Sequence, residues 1–364
     1  MLLIDKSFPI QSKGSHHANH LRRWQHLRPR TAHMASIFRV RSHLVSALHQ
    51  FFDQEAFYYT NPPIITSSDA EGAGESFHVT GKEKNFFGLG DKAPRLTVSS
   101  QLHLEALMMG LGRVWTLSPT FRAERSVTSR HLAEFWMLEA EWVVDSLEGV
   151  MSLVERMIRS CTERLHDKNI LQELVTTISG QDNAVNVQEI PGRWEKMMSK
   201  NWARMKYHDA VEVLLEEHSH RPFDIPPEHG SQLQSSHEQF LASRTSTPIF
   251  ITHYPATIKP FYKLKSSEND GTVANFDLLV PGMGEIAGGS LRIHDLAQLE
   301  QSMRDHEMDP TELEWYKDLR RWGTIPHGGF GLGFDRLIAY LCGVTNLREV
   351  VAFPRMAGKS GCLT

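Results

Sequence analysis

Strand-like segments follow one another directly in two parts of this 364-residue chain, with no helical pattern between them. They are residues 114–124, 131–142, 250–262, 272–280 and 284–293. Helical spacing of apolar residues occurs in other parts, at 35–57, 101–109, 146–166, 208–218, 295–320 and 334–343. Antiparallel neighbours need only a short turn, whereas parallel neighbours need a long crossover that is usually a helix. We therefore predict an α+β fold with a largely antiparallel β-sheet flanked by helices.

The composition limits the classes of function. Hydrophobic residues make up 40% of the chain and charged residues 23%, which is typical of a globular protein. The formal net charge of -4 gives no general attraction to nucleic acid or to a membrane surface. No apolar run approaches the roughly 18 residues of a membrane span. We expect a cytoplasmic protein; a mitochondrial location is less favoured, because the N-terminal residues lack the early arginines of a transit peptide.

The chain divides into a short leading segment and one large domain. Residues 1–33 are polar and basic, and we expect them to be a loosely ordered lead-in. Residues 34–364 are expected to form the domain that carries the activity. Within it, residues 180–245 are rich in Ser, His, Glu and Pro, and we interpret them as a variable, insertion-like region.

The stretch FRAERSVTSRHLAEFW, residues 121–136, places three arginines and a histidine between two aromatic ends. Alternate residues of a strand share a face, so Arg122 and Glu124 are expected to point the same way. A guanidinium binds phosphate or carboxylate through two hydrogen bonds at once, and Phe135 on the return strand offers a ring on which a base can stack. The pattern fits an anion-binding hairpin, and it also fits a surface hairpin with salt bridges, which contribute little.

A glycine-rich stretch, HGGFGLGFDRL at 327–337, opens the last predicted helix. It is neither a dinucleotide-binding fingerprint nor a Walker loop, because no apolar strand leads into it and no Lys-Ser or Lys-Thr follows it. Glycines permit a ligand to approach the backbone closely. The stretch therefore indicates either a site where Arg336 meets a nucleotide or a tightly packed helix start.

Asp277 and Glu285, in NFDLLVPGMGEIAGGSLRI, are candidate ligands for Mg²⁺, since hard cations prefer carboxylate oxygens. In a regular hairpin with a four-residue turn at 281–284, Asp277 pairs opposite Gly288 and Glu285 falls on the other face of the sheet. A three-residue loop or a β-bulge places both carboxylates on one face. The metal interpretation therefore predicts an irregular hairpin.

Together these segments resemble the three signature motifs of the class II aminoacyl-tRNA synthetases. HQFFDQEAFYYTNPPIIT (49–66) resembles the first motif, FRAE with its return strand the second, and GFGLGFDRL the third. The stretches SSDAEGAGESF, LTVSSQLHLE, RHLAEFWMLEAEW, KPFY and WYKDLRRWGTIPHGGFGLGFDRL are similar to the aspartyl/asparaginyl branch, and most similar to its asparaginyl members. The resemblance extends over residues 27–355. It implies ATP-dependent activation of asparagine, transfer to the acceptor end of tRNA(Asn), Mg²⁺ as cofactor and a homodimer formed through the first motif.

The resemblance also implies a role for individual residues. Arg122 and Arg336 would be the catalytic residues: Arg122 would hold the α-phosphate of ATP, and Arg336 would sandwich the adenine with Phe135. The implied ATP-binding residues are Arg122, Glu124, Arg130, His131, Leu132, Phe135, Glu285, Gly333, Asp335 and Arg336. The implied amino-acid-binding residues are Glu71, Gln101, Leu104, Glu139, Gly288 and Arg292. The implied metal ligands are Asp277 and Glu285.

The choice between asparagine and aspartate depends on Leu104. Aspartyl enzymes resemble one another in a Gln-x-x-Lys pattern whose lysine pairs with the substrate side chain. Here the residue three positions after Gln101, where that lysine would stand, is Leu104. Without that cation, a substrate carboxylate is under-compensated at a cost of several kcal/mol. We therefore expect a preference for the neutral amide, asparagine.

Full-length asparaginyl enzymes carry an N-terminal OB-fold that reads the anticodon, and only 25 residues precede HLRPRT here. Alternative functions stay open on this ground: a catalytic fragment that charges tRNA poorly, or a stand-alone paralogue that activates aspartate or asparagine without tRNA. A silent regulatory copy and a tRNA-binding module without chemistry are two further alternatives. The intact Arg122, Glu124, Glu285, Arg292 and Arg336 argue against the silent copy. The net negative charge argues against the tRNA-binding module.

Overall fold

The computed structural model describes residues 10, 18–67, 76–81, 86–88, 94–125, 128–167, 169–178, 186–268, 270–309, 311 and 313–358. Its α-helices are α1 (Ala18–Arg23), α2 (Ala32–Gln54), α3 (Gln101–Leu111), α4 (Leu147–Asp167), α5 (Ile170–Ile178), α6 (Glu189–Met198), α7 (Tyr207–His220), α8 (Ser235–Ser243), α9 (Leu296–Asp305), α10 (Glu314–Arg321) and α11 (Phe334–Leu341). Its β-strands are β1 (Tyr58–Tyr59), β2 (Ile65–Thr66), β3 (Arg95–Leu96), β4 (Arg113–Phe121), β5 (Glu134–Val143), β6 (Ala203–Lys206), β7 (Ile249–Thr252), β8 (Asn275–Val280), β9 (Gly284–Leu291) and β10 (His327–Gly333). Across these described ranges, no helix combines the length and the hydropathy needed to cross a bilayer.

Eight of the strands form one sheet in the order β1-β4-β5-β10-β9-β8-β7-β6. The six central strands, from β4 to β7, pair antiparallel, while β1 and β6 at the two edges pair parallel with their neighbours. Helix α4 packs on β9 and β10, and α2 packs on α4. The predicted α+β fold with a largely antiparallel sheet is confirmed.

The core lies between these helices and one face of the sheet. Helix α2 carries the apolar spacing seen in the sequence, and Ile37, Leu44 and Leu48 are at most 1% exposed. The ring of Phe52 stacks on Trp115 of β4 with 4.4 Å between ring centroids. Burial of one large apolar side chain contributes about 1.5–3 kcal/mol, so this contact surface holds α2 on the sheet.

The glycine-rich stretch interpreted as the start of the last helix is itself a strand, β10, in the centre of the sheet. Phe330 and Leu332 point into the core and are 2% and 0% exposed. Gly329, Gly331 and Gly333 alternate with them on the opposite face, because successive residues of a strand face opposite sides. Glycine is depleted in strands, which hid the strand in the sequence. Packing of the two apolar side chains outweighs that weak preference.

Two other predicted strands end earlier than expected. Strand β4 ends at Phe121, so Arg122 and Glu124 lie in the loop that follows it and not on one strand face. Strand β7 ends at Thr252, although residues 250–262 were predicted as a strand. Proline has no backbone N–H to donate, and Pro255 and Pro260 prevent a continuous ladder in this segment.

The described part of the lead-in is packed against the end of the chain and is not loosely ordered. The Arg28 side chain is 0% exposed, and its Nη2 lies 2.7 Å from the carbonyl oxygen of Arg348. Its Nε lies 3.1 Å from the carbonyl oxygen of Ala352. Thr31 begins α2 as its N-cap, where its hydroxyl accepts from the backbone N–H of Met34. The domain boundary at residue 33 stays a prediction.

The region interpreted as insertion-like is part of the main fold over its described residues. It supplies β6 at the edge of the sheet, and α8 packs on β8 and β9. Helix α7 packs on β6 and β7. The region therefore reaches the face of the sheet that carries the functional site.

Candidate functional site

A cavity of about 630 Å³ is lined by residues of β5, β8, β9 and β10, by the loop after β4 and by residues 257–263. Most of the predicted site residues line it, namely Gln101, Arg122, Glu124, Arg130, His131, Leu132, Phe135, Glu139, Asp277, Glu285, Gly288, Arg292, Gly333, Asp335 and Arg336. Of the remaining two, Glu71 lies outside the described residues and Leu104 lies elsewhere. Residues from distant parts of the sequence thus meet at one place, while their individual roles stay predictions.

One wall of the cavity is the backbone of β10 at Gly331 and Gly333, while the carboxyl group of Glu141 covers the same face at Gly329. A Cβ added at Gly329 would lie less than 3.0 Å from the backbone oxygen of Ala140 and from the carboxyl group of Glu141. A Cβ added at Gly331 would lie 3.3 Å from the sulfur of Met137, which is the flexible part of a side chain. The wall is flat because no side chain projects from this face of the strand, and a planar ligand can lie against it.

Two arginines and one aromatic ring line the cavity beside this wall. The guanidinium carbon of Arg122 lies 5.6 Å from the ring centre of Phe135. Arg336, in the first turn of α11, donates from Nη1 to the backbone oxygen of Glu285 at 2.8 Å. Planar guanidinium and aromatic groups stack on flat ligands, and guanidinium groups also bind phosphate. The arrangement suits a ligand with both a ring and negative charge.

The turn of the arginine-rich hairpin is held from two sides. His131 Nε2 lies 3.6 Å from Glu124 Oε2, and burial lowers the pKa of His131 despite that carboxylate. Arg130 donates to the hydroxyl of Ser235 in α8, and its Nη2 lies 3.4 Å from the backbone oxygen of Gly282. The cations of the turn are thereby fixed next to the β8–β9 hairpin.

The β8–β9 hairpin is irregular, as the metal interpretation requires. Asp277 pairs with Gly288, but Leu279 pairs with Glu285, so that Ile286 is an extra residue in a β-bulge. A Cβ added at Gly288 would lie 3.3 Å from an oxygen of Asp277 and 3.3 Å from an oxygen of Glu285. The three-residue loop at 281–283 puts Glu285 opposite Leu279 and so on the face of Asp277, and the bulge brings Gly288 to the same face, which confirms the predicted irregularity.

Two lysines without a role in the sequence analysis flank Asp277. Lys259 Nζ lies 2.7 Å from Asp277 Oδ2, and Lys263 also lines the cavity. Burial raises the pKa of Asp277, but the ammonium groups of Lys259 and Lys263 outweigh it, and the net pKa is lowered. Burial lowers the pKa of Lys263 to about 7. Asp277 is therefore ionised, with one oxygen on Lys259 and the other directed to Gly288.

These features agree with the comparisons to known proteins. The family described as tRNA synthetases class II (D, K and N) matches residues 17–357. The chain belongs to the class II tRNA synthetases. It is 44% identical over 361 residues to asparagine--tRNA ligase of Desulfotalea psychrophila, covering 98% of this chain and 77% of that protein. It is 45% identical over 369 residues to the mitochondrial asparagine--tRNA ligase of Schizosaccharomyces pombe, covering 97% and 76%.

A solved structure gives the same relationship in three dimensions. The asparaginyl-tRNA synthetase from Pyrococcus horikoshii complexed with asparaginyl-adenylate superposes with a TM-score of 0.82 and 31% identity. The match covers 94% of this chain and 74% of that one. The chain thus spans about three quarters of the length of these class II synthetases.

Within the cavity of this class II synthetase, Arg292 is compensated by a carboxylate. The residue is 3% exposed, and its Nε lies 3.1 Å from Glu141 Oε1. Its terminal nitrogens donate to the same carboxylate and to the hydroxyl of Ser290. The ring of Tyr262 lies 5.3 Å from the guanidinium carbon. This wall of the cavity is therefore rich in hydrogen-bonding groups but carries little net charge.

A second buried carboxylate, Glu105, was missed by the sequence analysis. It is 0% exposed and lies 4.0 Å from Arg292. Arg320 Nη2 donates to it at 2.6 Å, and the hydroxyl of Tyr316 donates at 2.7 Å. Gln101 Nε2 donates to it at 3.1 Å from the preceding turn of α3. The one available signal was the spacing of Gln101 and Glu105, which puts them on the same helix face.

Leu104 does not line the cavity, which corrects the expectation of a contact with the amino acid. It is 0% exposed and packs with Met108 and Val114 in a small core cluster. Successive helix residues are rotated by about 100°, so Leu104 and Glu105 point to different sides of α3. By contrast, Glu139 lines the cavity, and its carboxylate is held by Ser99.

Glu238 of α8 was also missed. Its Oε2 accepts from the backbone N–H of Glu285 at 3.2 Å, within the bulge of the β8–β9 hairpin. Burial and the charge of Glu285 raise the pKa of Glu238 to about 7. No local pattern signals this contact, because the two glutamates are 47 residues apart and α8 belongs to the region interpreted as insertion-like.

Proposed function

We propose that this chain activates asparagine with ATP to form asparaginyl-adenylate and transfers asparagine to tRNA(Asn). The observation that carries the proposal is the convergence of Arg122, Phe135 and Arg336 with the carboxylates of Asp277 and Glu285 around one cavity. The names of the similar proteins support the choice of amino acid, since both relatives are asparagine--tRNA ligases.

In this proposal, ATP lies against the glycine face of β10. The adenine is placed between Phe135 and Arg336, and its amino group is placed at Glu124. Asp335 holds the strand β5 next to the adenine in place, because its carboxylate accepts a hydrogen bond from the backbone N–H of Trp136 at 2.8 Å. The remaining proposed ATP contacts are Arg122 at the α-phosphate, Arg130 and His131 at the outer phosphates, Glu285 at the metal, and Leu132 and Gly333 at the wall.

Mg²⁺ fits the donor set of the β8–β9 hairpin. Asp277 and Glu285 are carboxylates, their oxygens converge at Gly288, and Mg²⁺ is typically bound through one or two carboxylates together with substrate phosphates. We propose that these two residues hold the ion, which when bound neutralises phosphate charge. Glu238 keeps the bulge in place through the backbone N–H of Glu285.

The chemistry needs positioning and charge neutralisation, and no protein nucleophile. The asparagine carboxylate attacks the α-phosphorus, the bond to the bridging oxygen breaks, and pyrophosphate leaves. Arg122 is placed to stabilise the negative charge that develops on the α-phosphate. In the second step a ribose hydroxyl of the tRNA attacks the carbonyl carbon of the adenylate, and AMP leaves.

The amino-acid side of the cavity favours a neutral side chain. Glu139 and Gln101 line it, and Arg292, proposed to contact the side-chain carbonyl, is already compensated by Glu141. A neutral amide adds no charge to this pair, whereas an aspartate carboxylate adds a negative charge to a wall that Glu139 and Glu141 already line. We therefore propose asparagine as the substrate, with Gly288 leaving room beside the metal ligands.

A homodimer is proposed from the first motif. The segment that resembles this motif, residues 49–66, carries exposed apolar side chains: Tyr58 is 59% exposed, Ile64 39% and Ile65 41%. Exposed apolar side chains grouped in one segment are typical of an interface. Light scattering on size-exclusion chromatography should give twice the chain mass, and Ile65→Asp should shift the mass towards that of the monomer. Phe353→Asp, at a 41% exposed position elsewhere, is the control and should leave the mass unchanged.

Amino-acid-dependent ATP–pyrophosphate exchange, with asparagine and aspartate in parallel and no tRNA, tests the activation step. Exchange with asparagine alone supports the proposal. Exchange with aspartate indicates the paralogue that activates aspartate, and exchange with neither indicates a silent copy. Charging of tRNA(Asn) with labelled asparagine then tests the transfer step.

A matched pair of variants links the exchange to the cavity. Arg122→Ala should lower kcat of exchange by about 100–1,000-fold, the usual effect of removing one group that stabilises transition-state charge. Arg125→Ala removes an exposed arginine three residues later in the same loop, which does not line the cavity, and should leave the exchange unchanged. Equal loss in both variants would mean that the loop, and not Arg122, matters.

A further inference from the structure

We infer that His208, Glu212 and His229 form a surface binding site for a zinc-class transition-metal ion, separate from the catalytic cavity. One donor atom of each residue lies within 4.8 Å of the other two. Imidazole nitrogens and carboxylate oxygens are ligands that Zn²⁺ takes, and three protein ligands leave a fourth position for water. None of the three residues lines the cavity described above.

Two of the three ligands are placed by helix α7. His208 and Glu212 are four residues apart, so their side chains leave the same face of the helix one turn apart. On the buried side, Ala210, Val211 and Leu214 are each 0% exposed and fix α7 on its core cluster. The backbone that carries the two ligands is therefore rigid, although their side chains are exposed.

The third ligand, His229, is carried by a tight turn folded back on the start of α7. The hydroxyl of Tyr207 lies 2.7 Å from the carbonyl oxygen of Ser231 and 3.2 Å from that of Glu228. Gly230 follows His229 with a φ of 82°, a conformation that residues with side chains rarely adopt. The turn is thus attached on both sides of His229 to the first residue of α7, which is 3% exposed.

The side chains already converge on one carboxylate. His229 Nε2 lies 2.7 Å from Glu212 Oε1, and the rings of His208 and His229 stack at 4.9 Å with an interplanar angle of 27°. An exposed ion pair contributes little and needs only one histidine. A second imidazole beside the same carboxylate supplies the nitrogen donors that favour zinc or copper over magnesium. Because all three side chains are exposed, they can rotate onto an ion without disturbing the core.

Calorimetric titration of the tag-free 364-residue chain with ZnCl₂ tests the site. The titration is made at about pH 7.5, where imidazole is largely neutral, with excess Mg²⁺ to occupy the oxygen ligands of the catalytic hairpin. The variants are His208→Ala, His229→Ala and, as control, His220→Ala, which removes an exposed histidine at the other end of α7. The wild type and His220→Ala should bind one more equivalent of zinc than the other two. Equal stoichiometry and affinity in all four proteins would overturn the inference.

Glu212→Gln tests the third ligand separately. The amide keeps an acceptor oxygen for His229 but loses the negative charge, so zinc affinity should fall by about tenfold or more. An unchanged affinity in this variant, with loss in the histidine variants, would refute the three-ligand assignment. Circular dichroism should show the same fold for every variant, because each substitution is exposed. No nucleotide, amino acid or tRNA is present, so this result is independent of the proposed function.

Discussion

Replacing Glu105 by glutamine removes one negative charge from the protein interior and keeps the shape of the side chain. Glu105 is 0% exposed and accepts hydrogen bonds from Arg320 at 2.6 Å and from Tyr316 at 2.7 Å. His327 Nε2 lies 3.1 Å from the same carboxylate. Burial raises the pKa of Glu105, but the charge of Arg320 and the hydrogen bond with His327 outweigh it and hold the pKa well below its ordinary value. The carboxylate is therefore ionised in the folded protein.

The magnitude follows from the partner that is left behind. The side chain of Arg320 is also 0% exposed, so Glu105→Gln leaves a buried guanidinium without its anion. Removing one partner of a buried ion pair costs about 3–5 kcal/mol, a large part of the roughly 5–15 kcal/mol that stabilises a typical domain. The matched control is Glu173→Gln, because Glu173 also pairs with an arginine, Arg39, but the two side chains are 38% and 49% exposed. Exposed pairs contribute about 0–1 kcal/mol.

Urea unfolding followed by circular dichroism gives the free energy of unfolding of both variants. The double variant Glu105→Gln/Arg320→Met should recover at least about 1 kcal/mol, since it removes the unpaired charge. Because the pKa of Glu105 is lowered in the folded protein, the carboxylate stabilises the fold above the ordinary glutamate pKa of 4.5, and this stabilisation is lost as the pH falls below 4.5. Glu105→Gln should lack this acid-dependent loss of stability. A loss at neutral pH no larger than that of Glu173→Gln would refute the reasoning.

Three further predictions test other parts of the structure. Gly329→Ala should lower the free energy of unfolding, measured with urea, by about 3 kcal/mol or more, because its Cβ would overlap the backbone of β5 and the carboxyl of Glu141. Gly331→Ala should lower it by less than about 1 kcal/mol. Equal effects of the two variants would contradict the close approach at Gly329. Burial lowers the pKa of the partly exposed His33 to about 4, so stability is full above pH 6.5 and declines as the pH falls towards 4. Between pH 7 and pH 5, the free energy of unfolding of His33→Gln should therefore fall by about 1–2 kcal/mol less than that of the wild type. The same change of the urea midpoint in both proteins over that range would exclude the effect. Glu238→Ala should slow ATP–pyrophosphate exchange by about tenfold, because it removes one hydrogen bond to the backbone of the bulge. Glu238→Gln keeps the acceptor oxygen and should retain most of the rate. Equal losses in the two variants would mean that the charge of Glu238, and not its hydrogen bond, matters.

Much of the fold and of the candidate site follows from the sequence, because the patterns are local. The apolar spacing of α2 and the alternation of Leu138 and Ala140 in β5 depend only on helix and strand periods. The need for an irregular hairpin follows from counting residues between Asp277 and Glu285. The exact place of the bulge does not follow, because either a turn residue or a strand residue can be the extra one.

What was missed depends on long-range packing. Strand β10 is hidden by its glycines and becomes a strand only because Phe330 and Leu332 are buried between its neighbours. Glu238 reaches Glu285 through the docking of α8, which no local pattern encodes. Leu104 was placed at the ligand by resemblance alone, and a rotation of one residue along α3 gives the inward position to Glu105 instead.

The position of β10 has a consequence for how the protein is made. The last strand in the chain lies in the middle of the sheet, so β4–β5 and β7–β8–β9 are two separate ladders until it is inserted. His327 pairs with Val143, which leaves the ribosome about 180 residues earlier, or roughly 10–40 seconds at about 5–20 residues per second. During that interval β5 presents an unpaired edge, and β9 does so only at its end, once residues 284–291 have been made. Such an edge is a template for association with other chains. Synthesis speed and chaperone supply, more than the stability of the finished fold, should therefore limit the yield of native protein.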